Sequence, residues 1–476
     1  MLRIILLLLL TVTGSLGSYA QLVDIVGPAP NARQMEWHQM EFYLFMHFGP
    51  NTFTDVEWGK GTEDPSVFNP TELDCRQWAR IARDAGAKGI IITAKHHDGF
   101  CLWPSRFSDH TVAQSPWKNG KGNVLRELSE ACSSYGIGFG VYISPWDRNH
   151  PDYGTDEYND IYVKTMRELL RGYGDIFELW WDGANGEGPN GKKQEYDFPR
   201  FERTARRFAD EALIFSDIGP DIRWVGNEKG IAGKTNWNLL DTVGFERGIG
   251  APPVDTLNTG NVNGKSWIPA ECDVSIRPGW FYHPNEDTAV KSGRELMKIF
   301  MTSVGRGSNL LLNVPPDRRG LIHPNDSAAL MAFKGLRESS FRENLARRAR
   351  VHVSSSRAGY LPSLLVDGFR FSHWAPDKTI TTCSIELEMD QEKEFNTIML
   401  QEYIEAGQRI EAFTIEVFND GNYVPLTSGT TVGYKRILQF PRQTASKIRI
   451  SVTKSKASPV LGEIQVFNCE DFGNEQ

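Results

Sequence analysis

The sequence predicts an α/β fold, a (β/α)8-like barrel followed by a C-terminal β-sandwich domain. Three observations carry this expectation. Between about residues 42 and 340, short apolar runs alternate with amphipathic stretches, as in a parallel sheet covered by helices on both faces. About eight such runs occur, the number that closes a barrel. After about residue 345 the segments become short and alternating, with turn residues between them and no long helical pattern, which reads as a β-sandwich.

The elements follow in chain order. The opening MLRIILLLLLTVTGSLGSYA has Arg3, an apolar run from Ile4 to Leu10, then small and polar residues up to Ala20. It reads as a signal peptide over residues 1–20, cut before Gln21, and implies an exported, periplasmic or secreted protein. The run is too short to span a bilayer, and no later stretch is long enough, so no membrane span is expected. The barrel is assigned to residues 21–345 and the sandwich to 346–476. Strand candidates are FYLFMHFG (42–49), KGIIITAKHHDGF (88–100), IGFGVYISPWD (137–147), DIFELWWDG (175–183), ALIFSDIG (212–219), RWVGNE (223–228), CDVSIRPGWFY (272–282) and NLLLNVPPD (309–317). Helical patterns cover 71–86, 122–136, 156–174, 198–211 and 287–305. Residues 229–271, rich in Gly, Asn and Pro, read as long loops over one barrel face. In the sandwich, VHVSSS, TCSIELEM, FNTIMLQEY, IEAFTIEVF and KIRISVT are the strand candidates. An open doubly wound sheet is the competing fold, but no GxGxxG opens a helix after the first strand.

Composition narrows the function. The net charge is −8 and no basic block stands out, so nucleic acid is not an expected partner. The six cysteines form no CxxC pair, which argues against a cysteine zinc site. Export would permit disulfides, but this spacing gives no disulfide framework.

In a barrel the active site lies at the carboxyl ends of the strands. That rim collects His47; Lys95, His96, His97 and Asp98; Tyr142, Trp146 and Asp147; Trp181 and Asp182; Asn227 and Glu228; and Trp280. Adjacent strand residues face opposite ways, so His96 and His97 are not expected to aim inward together. With no HxH or HExxH spacing either, neither a catalytic metal nor another cofactor is expected. No GxSxG elbow supports acyl transfer. Glycoside hydrolysis needs two carboxylates, and Asp182 and Glu228 stand at the ends of nearby strands. Each also has a plainer reading. Asp182 could brace the turn before Gly183, Glu228 could be a solvated loop carboxylate, and the histidines could be satisfied core residues.

The stretches WHQMEFYLFMHFGPNTF (37–53), FNPTELDCRQWARIARDAGAKGIIITAKHHDGFCLWPS (68–105), VYISPWD (141–147), ELWWDGANG (178–186), WVGNEKG (224–230) and NLLLNVPPDRRGLI (309–322) resemble the α-L-fucosidases of glycoside hydrolase family 29. The resemblance implies a barrel followed by a β-sandwich, and an exo-acting, retaining enzyme. It implies Asp182 as nucleophile. WVGNE resembles the subgroup acting on α-1,3/1,4-linked fucose in Lewis-type glycans, which implies Glu228 as acid/base. It implies fucose contacts from His47, His96, His97, Tyr142 and Trp280, and a fucosylated oligosaccharide or glycoconjugate as substrate. Glu57 and Trp58 are expected as rim contacts, and loops 185–196 and 229–271 as further subsites. LLVDGFRFSHWAPD (364–377) with PVLGEIQVF (459–467) resembles a discoidin-like module, expected to brace the barrel because few surface aromatics are evident at its loops. A broad-specificity fucosidase, a transfucosidase and a catalytically weak sugar-binding protein remain alternatives.

Overall fold

Side-chain alternation decides what each apolar strand serves. The computed structural model describes residues 23–473; the expected signal segment lies outside them. Eight parallel strands close into a barrel: β1 Phe42–Met46, β2 Gly89–Lys95, β3 Gly138–Ile143, β4 Glu178–Trp180, β5 Leu213–Ser216, β6 Ile222–Trp224, β7 Ala270–Ser275 and β8 Asn309–Asn313. One parity, including Tyr43, Phe45, Ile91, Tyr142, Trp180 and Phe215, fills the barrel interior. The other, including Phe42, Leu44, Ile90, Ile92 and Leu179, packs outward under the helices. Burial on both faces is why these strands read as continuous apolar runs.

The helices begin and end where side chains satisfy their free backbone groups. Asp74 and Asn123 accept from the first-turn N–H groups of Cys75–Ala85 and Val124–Tyr135. Gly86 and Gly136 close the same helices at φ 82° and 67°, a conformation that favours glycine. Ser292 and Glu295 form a capping box on Gly293–Thr302, a known starting motif. Two further helices, Ala32–Met40 and Pro324–Ser340, carry weak periodicity and are not marked by the sequence pattern.

The sixth βα unit departs from expectation. Residues 229–271 do not simply cover one face. Ala232 donates to Thr302 O, at the far end of Gly293–Thr302, at 3.0 Å. Leu239–Leu240 pairs with Ser266–Trp267 as a short hairpin. Trp237, Leu239 and Trp267 pack with Met35 from helix Ala32–Met40 and with Ile404 and Tyr434 of the C-terminal domain. Most of the excursion thus lies at the amino-terminal end of the barrel. Only its middle returns to the mouth, where Arg247 bonds Glu202.

The C-terminal domain is an antiparallel sheet structure in the order β9 (Arg350–Val353), β10 (Cys383–Glu402), β13 (Arg436–Ser455), β11 (Ile410–Asn419), β12 (Asn422–Gly429), with β14 (Leu461–Phe467) also on β10. TCSIELEM and FNTIMLQEY are one 20-residue strand, not two. The intervening DQEKE is a register shift between Glu388 and Lys393, and such bulges let a strand bend from one layer into another. Both halves feed one core containing Ile385, Leu387, Ile398, Phe413, Ile450 and Ile464. The domain is tied to the barrel: Asn236 N donates to Thr431 Oγ1 at 2.9 Å and Asn238 N to Gln408 Oε1 at 2.8 Å. Its surface does carry aromatics, since Phe369 and Phe371 are more than half exposed. All six cysteines are buried free thiols. Among the described residues no helix is long and apolar enough to cross a membrane.

Candidate active site

The carboxyl tip of β4 fixes Asp182. Trp180 points into the barrel and stacks on Phe215, with ring centroids 4.0 Å apart. Trp181 points outward and packs on Phe198 and Phe201. Asp182 then leaves the strand on the same side as Trp180. Tyr142 Oη donates to its Oδ2 at 3.0 Å, and Ala184 N donates to Oδ1 at 2.7 Å. His97 Nε2 lies 3.7 Å from Oδ2. The carboxylate is therefore held at both oxygens while its side chain keeps 26% exposure, as a group open to a ligand must.

His96 and His97 both join this site, against the expectation that they diverge. Strand β2 ends at Lys95, so strict alternation no longer governs them. Their rings lie 4.2 Å apart. His96 packs on Tyr142, Phe281 and His47. His97 packs on Trp146 and Trp58. Lys95 anchors the strand end through Asp147 Oδ2 at 3.0 Å and Tyr158 Oη at 3.2 Å. Burial alone would raise Asp147, but Lys95 and the backbone N–H groups of His150 and Asn149 hold it below the usual range. Lys95 and Asp147 are thus a buried brace beneath the site.

The imidazoles are kept neutral. Burial lowers His47 to about 4, outweighing the raising effects of Asn313, Glu57 and Asp182. Burial likewise lowers His96 and His97. Ser144 Oγ donates to Trp146 O at 2.9 Å, so it accepts from His97 Nδ1 at 2.8 Å. That assigns the neutral tautomer with an acceptor Nε2 towards Asp182. Asn313 Nδ2 donates to Ser275 Oγ and Trp280 O, leaving its Oδ1 to accept from His47 Nδ1 at 2.9 Å. Neutral rings bordering a fixed carboxylate suit hydroxyl groups. Among the described residues no group of three His, Cys, Asp or Glu is arranged to hold a metal.

Glu228 is exposed beyond β6, and its Oε2 accepts from Trp280 Nε1 at 3.2 Å. The Trp280 ring lies 5.1 Å from His47, so the indole links Glu228 to the imidazole side of the bowl. Glu57, expected as a rim contact, is engaged by the loop that carries Trp280. Its carboxylate accepts from Trp280 N at 2.9 Å and Phe281 N at 3.1 Å, and pairs with His283 Nε2 at 2.7 Å. It holds the Trp280 loop while its side chain stays 38% exposed. Trp58, beside it, is 56% exposed and stands edge-on to His97 and Trp146.

Two carboxyl groups join the rim that the sequence reading does not single out. Asp217 follows β5 and packs against Gly183. Burial and the charge of Asp182 raise it to about 6. Asp273, on β7, accepts from Trp224 Nε1 at 2.9 Å, and burial with the charges of Glu228 and Glu271 raises it well above normal. Their signal was positional: Asp217 sits one residue past a strand, and Asp273 shares the inward parity of Glu271 and Ser275. Glu271 lies deeper, inside the barrel. It is fully buried, bonded to Trp180 Nε1 at 2.9 Å and to Tyr43. Burial raises it and the nearby Glu178, which Glu271 raises further. Loop 185–196 is pinned at the rim by Trp146 Nε1 to Glu187 O at 3.1 Å and by Tyr153 to Tyr196 at 2.8 Å.

Known proteins resemble this chain in sequence and fold. The family model described as Alpha-L-fucosidase matches residues 28–334, and that described as F5/8 type C domain matches 350–463. Alpha-L-fucosidase 1 of Arabidopsis thaliana is 42% identical over 448 residues, covering 92% of this chain and 87% of its own. The crystal structure of SpGH29 superposes with a TM-score of 0.89 at 39% identity, over 94% of this chain and all of that one (100%). A GH29 fucosidase of Ruminococcus gnavus in complex with fucose gives 0.87 at 30% identity, over 95% and 97%. The chain belongs to the α-L-fucosidase family, the GH29 glycoside hydrolases.

Proposed function

We propose that this α-L-fucosidase acts with retention and releases α-1,3/1,4-linked fucose from branched, Lewis-type glycans. The supporting observation is Asp182, fixed by Tyr142 and Ala184 N yet still open, among neutral imidazoles. In this reading Asp182 attacks the anomeric carbon while Glu228, carrying a proton, protonates the departing glycosidic oxygen. The C–O bond to the aglycone breaks as the Asp182–fucose ester forms. Glu228, now ionised, takes a proton from water, whose oxygen displaces Asp182 and releases fucose with its configuration retained. His47, His96 and His97 meet the ring hydroxyls, Tyr142 orients Asp182, and Trp280 and Trp58 give apolar walls. The fucose complex of the Ruminococcus gnavus enzyme supports the same sugar here.

Three measurements test the reading. Asp182→Ala should lose nearly all turnover; activity near wild type removes it as nucleophile. Glu228→Ala should slow substrates with poor leaving groups most and be partly rescued by azide. On a panel of fucosylated oligosaccharides, Lewis-type trisaccharides should be cleaved fastest, and rapid release only from α-1,2 linkages would overturn the linkage reading. We also propose export through the leader at residues 1–20, for which a mature protein beginning at Gln21 is the expected N-terminal sequence.

A further inference from the structure

A large groove lies away from Asp182. It begins at Lys229, the residue after Glu228, and runs beside helix Gly293–Thr302 to the C-terminal sheet, with a volume of about 950 Å³. It flanks the sixth unit, whose connection includes the short helix Val254–Thr259. Its charge is one-sided. Lys229, Lys234, Lys291, Lys298, Arg306 and Arg436 line it, and Glu295 is the one carboxylate among the described lining residues. Glu295 is already engaged, accepting from Ser292 N at 2.7 Å and Ser292 Oγ at 2.8 Å. Ile299, Ile437 and Phe440 give the groove apolar surface.

Arg436 supplies an independent observation. It begins β13, is only 5% exposed, and its Nε and Nη1 have no hydrogen-bond partner among the described residues. Burial lowers it to about 10, and Arg306 pushes it the same way, so it stays charged at neutral pH. A buried guanidinium with free donors beside a second guanidinium opposes stability, and an apolar side chain would fill the place at less cost. Planar donors of this kind suit a carboxylate or sulfate.

We propose that this groove binds an oxyanion carried on the substrate glycan, the carboxylate or sulfate of an acidic sugar, with Arg436 as anchor and the lysines as rim. The proposal rests on the reading of the substrate as a fucosylated oligosaccharide. In this reading sugars beyond the cleaved bond run from Glu228 past Lys229, the next residue in the chain and one of those lining the groove. Its apolar surface matches the flat faces of sugar rings. The chain as a whole carries a net charge of −8, so the cationic groove is a local exception, and a nucleic acid would meet repulsion elsewhere.

The test compares a neutral fucosylated oligosaccharide with the same oligosaccharide bearing one carboxylated or sulfated sugar, plus a small aryl fucoside. Wild type should prefer the acidic member by about tenfold in kcat/KM at low salt, the effect of one charge-assisted contact. The exposed pair Lys234→Ala/Lys298→Ala and the single variant Arg436→Gln should each lose that preference and retain aryl fucoside turnover. Thermal melting checks that Arg436→Gln folds, and the lysine pair decides the matter if it does not. Equal kcat/KM for both oligosaccharides in wild type overturns the proposal. Cleavage of none of the three compounds overturns the substrate reading instead. Calorimetric binding of sodium sulfate that Arg436→Gln abolishes, without any preference between the oligosaccharides, assigns the groove to a free anion and overturns the glycan assignment.

Discussion

Removing Glu57 should disable catalysis from a distance. Its carboxylate takes two backbone N–H groups, Trp280 N and Phe281 N, and the His283 imidazole. Burial alone would lower His283, but Asp55 and Glu57 raise it, so the contact to Glu57 is charge-assisted. Three such bonds contribute on the order of 3 kcal/mol net. Glu57 keeps 38% exposure, so solvent screening reduces this to about 2 kcal/mol. That is roughly thirtyfold in the population of the ordered loop. The ordered loop is what brings Trp280 Nε1 to Glu228 and the indole over His47. Glu57→Ala is therefore predicted to lower kcat/KM by up to about thirtyfold, most for substrates with poor leaving groups, with little change in melting temperature. Glu57→Gln, which retains an acceptor oxygen, should fall between. Steady-state kinetics over a series of aryl fucosides reads both effects. A Glu57→Ala enzyme as active as wild type across that series would refute the reasoning.

Other outcomes follow from the same geometry. Trp58→Ala removes an exposed indole beside His97 and should raise KM for oligosaccharides about tenfold, the worth of one stacked aromatic; an unchanged KM excludes a sugar contact there. Gly183→Ala would press a methyl group onto the Asp217 carboxylate, so both activity and thermal stability should drop, by about 1–3 kcal/mol for the latter. His38 is lowered by burial, and then by Arg370, from 6.5 to about 3. A lowered histidine binds fewer protons folded than unfolded, so its contribution to stability is lost as pH falls below 6.5, about 3 kcal/mol by pH 4. Denaturant titrations of His38→Gln should show a shallower loss over pH 6.5 to 4 than wild type, and parallel curves would contradict this.

Much of the site was legible because it hangs on strand ends. Each barrel strand is buried on both faces, so its residues read as apolar until the chain emerges, and the first polar residues beyond, such as His47, His96 and Asp182, mark the mouth. Alternation holds inside strands, where it separates Trp180 from Trp181. It failed at His96 and His97, because the ladder stops at Lys95 and each ring is then placed by its neighbours. Asp273 was missed because it faces inward from within a strand and reads as part of an apolar run. The bracing role of Glu57 is not legible locally, because its partners come from a loop more than 220 residues away in the chain. The path of residues 229–271 was hidden for the same reason: its destination is set by Met35, Ile404 and Tyr434, not by local pattern. Neither Gly183 nor Gly186 has positive φ. What requires them is the close approach of Asp217 and Trp146.

The excursion of the sixth unit bears on how such an enzyme can be recombined. Its far end is seated on the appended domain, through Thr431 and Gln408 to Asn236 and Asn238. A chain cut between the helix ending at Ser340 and the strand opening at Arg350 would expose Trp237 and Trp267 to water and leave buried Asn236 without its partners across the cut. The C-terminal domain is therefore no exchangeable cassette. A donor domain shuffled onto this barrel would have to supply its own counterparts of Gln408, Thr431 and Tyr434, or the segment carrying Glu228 would lose the anchor at its far end.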